Sequence, residues 1–158
     1  MSNETIIHWH DINFCLSAIK DKLKADNFIP DIIIAVGRGG LIPGTLLAYK
    51  MDVGIVINYA IKTYSNQNTQ TEDLWVIQSP NEGFSDYRNK NILVVDDLSD
   101  SGNSLKYIAD QLTNQYHLEN IKTATLCIKD KTGFIPDYYI QKYPSDTWLV
   151  FPWEVSED

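Results

Sequence analysis

The sequence predicts an α/β fold in which a mostly parallel central sheet is flanked by helices. Apolar, β-branched runs at 31–36 and 92–95 are typical of strands that are buried on both faces. These runs alternate with stretches of helical periodicity, and such alternation indicates βαβ units. Polar, glycine-containing turns follow both runs. In a parallel sheet those turns lie at the carboxyl ends of the strands, where ligands bind.

Composition predicts a single domain over residues 1–158, because 44% hydrophobic and 22% charged residues are ordinary values for a globular protein. No apolar run approaches the ~20 residues of a membrane span, and the N-terminus does not resemble a signal peptide. We therefore expect a cytoplasmic protein without membrane contacts. The net charge of −8 argues against nucleic-acid binding. Cys15 and Cys127 stand far apart among apolar neighbours, which favours buried, reduced thiols.

The elements follow in order along the chain. Asp11 is the expected N-cap of a first helix that ends before Pro30. A second helix is expected over 41–49, with Pro43 in its first turn, where proline is tolerated. A third begins near Leu105. The expected strands are 31–36, 53–61, 74–78, 92–95 and 123–128.

The most informative stretch is 91–104, NILVVDDLSDSGNS. Its apolar run ends at Asp96 and Asp97, and Asp100 precedes a small-residue turn and a helix start. A helix N-terminus preceded by glycine and hydroxyl residues suits a phosphate group. Carboxylates beside it suit ribose hydroxyls, directly or through Mg²⁺. The pattern favours a sugar-phosphate site, the alternative being a solvated acidic turn.

This stretch closely resembles the phosphoribosyl-pyrophosphate (PRPP) motif of the type I phosphoribosyltransferases. The resemblance implies the fold of that family, with a small hood built from the termini and a hood segment at about 137–158. It implies that Asp96 and Asp97 bind ribose and Mg²⁺, and that Asp100 contacts purine N7 as a general acid or base. The implied 5′-phosphate ligands are Asp100, Ser101, Gly102, Asn103 and Ser104.

A second motif, Gly-Arg-Gly-Gly at 37–40, directly follows the strand at 31–36. Glycines let the backbone approach a ligand closely, and an arginine fork suits phosphate oxygens. A glycine-rich turn with a surface arginine is the alternative. The longer stretch IIIAVGRGGLIPGTLLA looks like the pyrophosphate loop of the small 6-oxopurine phosphoribosyltransferases, although those enzymes usually carry Ser or Ala in the place of Gly37. The resemblance implies that Gly37, Arg38 and Gly39 bind pyrophosphate.

The polar stretch 62–73, KTYSNQNTQTED, is either a surface hairpin or a lid. The resemblance implies a mobile lid that excludes water from the reacting centre, with Thr63 and Tyr64 in place of the family's Ser-Tyr pair. Relatives often carry a basic residue in or just after this loop, whereas 70–78 contains none. This departure weakens any prediction of contacts between the lid and phosphate.

The purine-binding residues are implied only by the resemblance. Lys129, at the end of the strand at 123–128, occupies the place of a lysine that donates to purine O6 and disfavours adenine; Lys131 is a competing candidate. In the ending SDTWLVFPWE, Trp148 would stack on the purine, and backbone groups of Leu149 would read the base edge. The apolar pattern at 151–153 favours a hydrophobic clasp that ties the C-terminal segment to the core. Glu154 lies near the base edge or caps the site.

Together these motifs predict a purine salvage enzyme that uses Mg²⁺. It would convert guanine, hypoxanthine or xanthine and PRPP to the nucleoside 5′-monophosphate and pyrophosphate. Relatives are dimers or tetramers, so a homo-oligomer is expected. Two alternatives stay open at this point: a PRPP-sensing regulatory protein of the same fold, and an enzyme that uses adenine or a pyrimidine.

Overall fold

The computed structural model describes residues 3–66 and 71–154, which form two sheets and three α-helices. The main sheet has the strand order β4-β3-β2-β5-β6-β7. Its neighbouring strands are parallel except for the antiparallel pair β3–β4, which confirms the predicted fold class. The strands are β1 (Asn3–Ile6), β2 (Ile32–Gly37), β3 (Val56–Asn66), β4 (Thr71–Gln78), β5 (Asn91–Ser99), β6 (Asn120–Lys129), β7 (Gln141–Tyr143) and β8 (Thr147–Val150).

Helices cover both faces of the main sheet, because β2 and β5 are apolar on both sides. Ile33, Leu93 and Val95 face the layer that contains α1 (Trp9–Ala25) and α2 (Leu41–Met51). The alternate residues of the same strands pack against α3 (Asn103–Asn114) and the 3₁₀ turn Glu82–Tyr87. This alternation follows from the two-residue period of a strand, and it decides which way the polar residues at the strand ends point.

The predicted start of the first helix is wrong by three residues. The N-cap is His8, and Asp11 is the third residue of α1. The Asp11 carboxylate accepts a hydrogen bond from the backbone N–H of His8, at 2.9 Å. An acidic side chain in the first turn accepts a hydrogen bond from an open N–H group, as an N-cap side chain does. An aspartate in the sequence is therefore equally compatible with the N-cap and with the third position of the helix.

The segment 62–73 is largely a hairpin. β3 continues to Asn66 and β4 begins at Thr71, with Lys62 opposite Trp75 and Tyr64 opposite Asp73. The hairpin alternative is therefore confirmed for these described residues. The expected strands 53–61 and 74–78 are too short at this end, because the ladder depends on backbone hydrogen bonds and not on apolar side chains. Residues 67–70, which the lid prediction also covers, lie outside the described residues.

The two ends of the described chain pair with each other. β1 and β8 form a parallel two-stranded sheet, and the N–H of Ile7 donates to the carbonyl of Val150 at 2.8 Å. This small sheet, which we call the hood, holds Trp148 above the carboxyl edge of the main sheet with 64% of its surface exposed.

Both cysteines are buried free thiols. Burial raises the pKa of Cys15 to about 11 and that of Cys127 further, so neither thiol ionises at neutral pH. Within the described residues, no helix is both long and apolar enough to cross a membrane.

Candidate functional site

Two adjoining cavities open at the carboxyl edge of the main sheet. The small cavity, of about 390 Å³, lies at the N-terminus of α3. The large cavity, of about 1260 Å³, lies between the loop after β2, the strand β3 and the hood. Thr63 lines both cavities, so they meet at β3. This is the edge at which an open α/β sheet binds its ligands.

The small cavity is formed chiefly by the turn between β5 and α3. Ser101, Gly102, Asn103 and Ser104 all line it. Gly102 is the N-cap of α3 with φ of 83°, and a Cβ there would lie 2.6 Å from Phe134 Cβ, so only glycine fits. The helix therefore directs its first N–H groups and the positive end of its dipole at the cavity, as an anion site requires.

Asp96 and Asp97 separate the two cavities. Because they are consecutive on β5, Asp96 lines the small cavity and Asp97 the large one. The N–H of Asp97 donates to the Asp96 carboxylate at 2.8 Å. Burial and the neighbouring Asp97 charge raise the pKa of Asp96 well above its usual range. Burial also raises the pKa of Asp97, and Glu154 adds to that rise.

These carboxylates fit a magnesium ion that also binds substrate. The described residues contain no cluster of three or more acidic, histidine or cysteine side chains able to hold a metal by themselves. Mg²⁺, however, is commonly held by one or two carboxylates together with substrate phosphates and water. Burial raises the pKa of both carboxylates, and a cation bound beside them would lower it again.

The loop after β2 brings Gly37, Arg38 and Gly39 to the large cavity. The peptide bond between Gly37 and Arg38 is cis. A Cβ on Gly39 would collide with the Asp97 carboxylate, so the loop lies directly against that side chain. The large cavity thus holds an arginine and a carboxylate on the same wall.

Trp148 of the hood lines the large cavity, as do Trp153 and Glu154, which follow the hood in the chain. Glu154 also accepts a hydrogen bond from the N–H of Phe151 at 2.9 Å, so it caps the last turn and faces the cavity at once. Trp153 stacks on Phe151 with ring centroids 5.0 Å apart. The prediction that 151–153 only clasp the core is incomplete, because Trp153 also lines the cavity.

The lysine predicted to contact the base has backbone partners. Lys129 is buried, with 4% of its surface exposed, and its ammonium donates to the carbonyls of Thr147 and Pro144. These contacts hold the segment that leads into Trp148. Lys131 instead lines the small cavity. The side chain of Leu149 is buried in the core, and its backbone pairs with Thr5.

Sequence analysis missed two polar residues of the large cavity, Lys62 and Asn58. The Lys62 ammonium lies 5.4 Å from the ring centroid of Tyr64, whose ring meets Trp75 edge-on at 5.5 Å. Asn58 Oδ1 is buried, without a hydrogen-bond partner among the described residues, and abuts Gly37. Both lie on β3, whose position beside β2 only the folded sheet reveals.

Comparison with known proteins decides the family, since the model of the phosphoribosyl transferase domain matches residues 9–158. The chain belongs to the phosphoribosyl transferase family. It is 31% identical over 160 residues to the xanthine-guanine phosphoribosyltransferase of Vibrio atlanticus (strain LGP32), covering 99% of this chain and 92% of that protein.

Solved structures show the same phosphoribosyl transferase fold. A purine phosphoribosyltransferase from Pyrococcus horikoshii Ot3 superposes with a TM-score of 0.79 at 27% identity, covering 98% of this chain and 97% of that one. A hypothetical protein from Neisseria gonorrhoeae with bound ppGpp superposes with a TM-score of 0.82 at 25% identity, covering 99% and 92% respectively.

The site of this phosphoribosyl transferase carries few positive charges. Among the described residues, Arg38 and Lys62 line the large cavity, and Lys131 lines the small one. They face four carboxylates on the same walls, in a chain of net charge −8. A polyanionic ligand therefore depends on these three cations, on backbone N–H groups and on a metal ion.

Proposed function

We propose that this phosphoribosyl transferase is a purine salvage enzyme that converts guanine, hypoxanthine or xanthine and PRPP to the nucleoside 5′-monophosphate and pyrophosphate. The observation that carries the proposal is the pair of adjoining cavities. One presents a helix N-terminus to a phosphate, and the other combines Arg38 with the exposed face of Trp148. The names of the purine phosphoribosyltransferases among its relatives support this choice of substrate.

In this proposal the small cavity binds the 5′-phosphate of PRPP. The ligands are the turn residues Asp100, Ser101, Gly102, Asn103 and Ser104, chiefly through N–H and hydroxyl donors. The family motif and the position of the turn in the cavity support the assignment. Asp96 and Asp97 hold the ribose, which spans the boundary between the cavities.

Pyrophosphate then occupies the inner part of the large cavity. Gly37, Arg38 and Gly39 bind it through backbone donors and the guanidinium fork. Asp97 and Asp96 would hold Mg²⁺ beside it. The ion, when bound, neutralises charge on the pyrophosphate oxygens and so favours their departure.

The purine lies against Trp148, whose exposed ring offers a stacking surface worth about 1–3 kcal/mol. Two of the three N–H bonds of Lys129 go to backbone carbonyls, and the third is assigned to purine O6. Backbone groups of Leu149 read the base edge. A cationic donor at O6 rejects the 6-amino group of adenine, because that group is itself a donor.

The reaction breaks the bond between the anomeric carbon of ribose and pyrophosphate, and forms the bond from that carbon to purine N9. Positive charge develops on the ribose ring as pyrophosphate leaves. Asp100 lines the small cavity and is exposed. We propose that it acts as the general acid or base at purine N7. Thr63 and Tyr64, on the β3–β4 hairpin, are proposed to cover the reacting atoms and exclude water.

Replacing Asp100 with Asn tests the proton-transfer role. General acid–base catalysis is typically worth 10²–10⁴-fold, so we expect kcat to fall by about that factor while the dissociation constant of PRPP changes less than about threefold. Steady-state kinetics and calorimetric titration with Mg²⁺-PRPP measure the two effects. Full activity in this variant would exclude the role.

The experiment that tests the proposed function measures nucleotide formation from PRPP and Mg²⁺ with five bases in parallel. These are guanine, hypoxanthine, xanthine, adenine and uracil. Turnover of at least one 6-oxopurine and none of adenine is the expected result. Turnover of adenine or uracil alone would reassign the base. No turnover with any base, together with measurable PRPP binding, would favour a PRPP-sensing protein.

We also propose that the enzyme is a cytoplasmic homo-oligomer, either a dimer or a tetramer. Leu46 and Tyr49 lie three residues apart on α2, on neighbouring parts of its surface, and Tyr49 is 84% exposed. Large apolar side chains in such positions support association with a second copy. Light scattering of the purified protein gives its molecular mass, and a value of 18.0 kDa would mean a monomer.

A further inference from the structure

We propose that Lys131 is a ligand of the 5′-phosphate, in PRPP and in the product nucleotide alike. This inference rests on the proposed function for the identity of the anion, and on the structure for the location of the side chain. Lys131 lines the small cavity together with the turn that begins α3, and it does not line the large cavity where Trp148 lies.

Hydrogen bonds join the segment that carries Lys131 to the turn at 101–104, which we call the phosphate turn. The N–H of Gly133 donates to the carbonyl of Ser101 at 2.9 Å. The hydroxyl of Ser99 donates to the carbonyl of Phe134 at 2.9 Å and lies 3.0 Å from the hydroxyl oxygen of Thr132. Phe134 also packs so closely on Gly102 that no Cβ fits there. The backbone at 131–134 therefore keeps a fixed position beside the phosphate turn.

The charge of the small cavity favours such a role for Lys131. Its described lining contains two carboxylates, Asp96 and Asp100, and Lys131 is the single positively charged side chain among those residues. The N-terminus of a helix contributes only about half a positive charge. A phosphate carries close to two negative charges at neutral pH. Lys131 therefore offsets the charge of one of the two carboxylates that line the cavity.

This location also separates the roles of two nearby lysines. Lys129 is buried and donates to the carbonyls of the segment before Trp148, on the side of the base. Lys131 lies two residues further on, past the end of β6, and its side chain is exposed. Neither lysine lines the large cavity, but the Lys129 ammonium contacts the carbonyl of Thr147, the residue before Trp148, whereas Lys131 lines the small cavity.

The test compares Lys131→Met with Lys131→Arg and with a control, Lys142→Met. Lys142 is a suitable control because its charge, like that of Lys131, acts on Asp130, while Lys142 lines neither cavity. Two ligands are titrated by ³¹P NMR and calorimetry: ribose 5-phosphate, which has no base, and GMP. The Michaelis constant for guanine is measured at saturating PRPP.

Lys131→Met removes one charge-assisted hydrogen bond, so we expect the dissociation constants of both phosphate ligands to rise by about tenfold. The Michaelis constant for guanine should stay within about twofold, and Lys131→Arg and Lys142→Met should bind both ligands nearly as the unchanged protein does. Unchanged binding of ribose 5-phosphate in Lys131→Met would overturn the proposal, as would a selective rise in the guanine constant. Failure of the unchanged protein to use any base would refute the proposed function alone, because ribose 5-phosphate still tests the phosphate contact.

Discussion

Asp96 and Asp97 are neighbours in the chain and serve different cavities. The two-residue period of β5 turns one carboxylate toward the α3 face and the other toward the loop that carries Arg38. Both acids are held in a cleft that raises their pKa. The two buried carboxylates lower the stability of the ligand-free protein, and they suit a substrate that binds together with a cation. Such a loss of stability is common at functional sites.

Replacing Asp96 with Asn should therefore stabilise the ligand-free protein. A carboxyl whose pKa is raised by folding contributes stability below its unfolded pKa, and that contribution is lost as the pH rises through the folded value. At pH 7 the neutral amide removes this penalty, so we expect a gain of about 0.5–2 kcal/mol. Thermal melts of both proteins from pH 5 to pH 8, without Mg²⁺ or PRPP, measure it.

The control for that experiment is Asp21→Asn, a change of the same type on the exposed surface of α1. It should leave the melting temperature nearly unchanged. A melting temperature for Asp96→Asn at or below that of the control at pH 7 would show that the Asp96 carboxylate is already compensated. Mg²⁺-PRPP should stabilise the original protein more than the Asp96→Asn variant.

Among the secondary-structure elements, the β3–β4 hairpin differs most from what the sequence predicts. Its polar composition left a surface hairpin and a lid as alternatives, and the sequence stretch 70–78 lacks a basic residue. The paired strands nevertheless bring Lys62 to the large cavity, on the same wall as Thr63. Tyr64 and Trp75 form an aromatic pair beside the Lys62 ammonium, which favours a cation at that point.

Replacing Lys62 with Met should raise the Michaelis constant for PRPP by about five- to tenfold, because one cation is removed from a cavity that is otherwise acidic. Lys62→Arg should restore most of the affinity. Lys90→Met, outside both cavities, is the matched control. Initial-rate kinetics at varied PRPP concentrations give the constants. Equal constants for Lys62→Met and Lys90→Met would mean that Lys62 does not contact the substrate.

At the scale of the whole molecule, the large cavity depends on both ends of the chain. β8 carries Trp148, and its parallel partner in the hood is β1, which begins at Asn3. The Lys129 ammonium holds the start of β8 by its hydrogen bond to the carbonyl of Thr147. The base side of the site is therefore assembled from residues more than a hundred positions apart.

Deleting residues 1–6 should affect the base more than PRPP. Loss of β1 removes the ladder that holds β8, so we expect the Michaelis constant for guanine to rise severalfold and the melting temperature to fall. The residues proposed to bind PRPP, at 37–39 and 96–104, include none of β1 or β8, so the PRPP constant should change less than about twofold. The same kinetic assay and a thermal melt measure these effects. An equal rise in both constants would show that the hood supports the whole site.

Much of this molecule can be predicted from local sequence. Buried strands, the phosphate turn at 101–104 and the glycine-rich loop at 37–40 are each encoded within about fifteen consecutive residues. Their apolar period, small residues and acidic pairs act through local backbone geometry. For that reason the fold class followed from the sequence, while the family was indicated by the resemblance of these motifs to known ones, and both are confirmed.

The tertiary structure alone decided how those segments meet. Strand order brings Asn58 and Lys62 beside Gly37 and Arg38. The hydrogen bonds between 132–134 and 99–101 place Lys131 beside the turn at 101–104. Each of these contacts joins residues far apart in the chain. Because a side chain's charge and polarity do not specify its distant neighbours, only the packed sheet determines them.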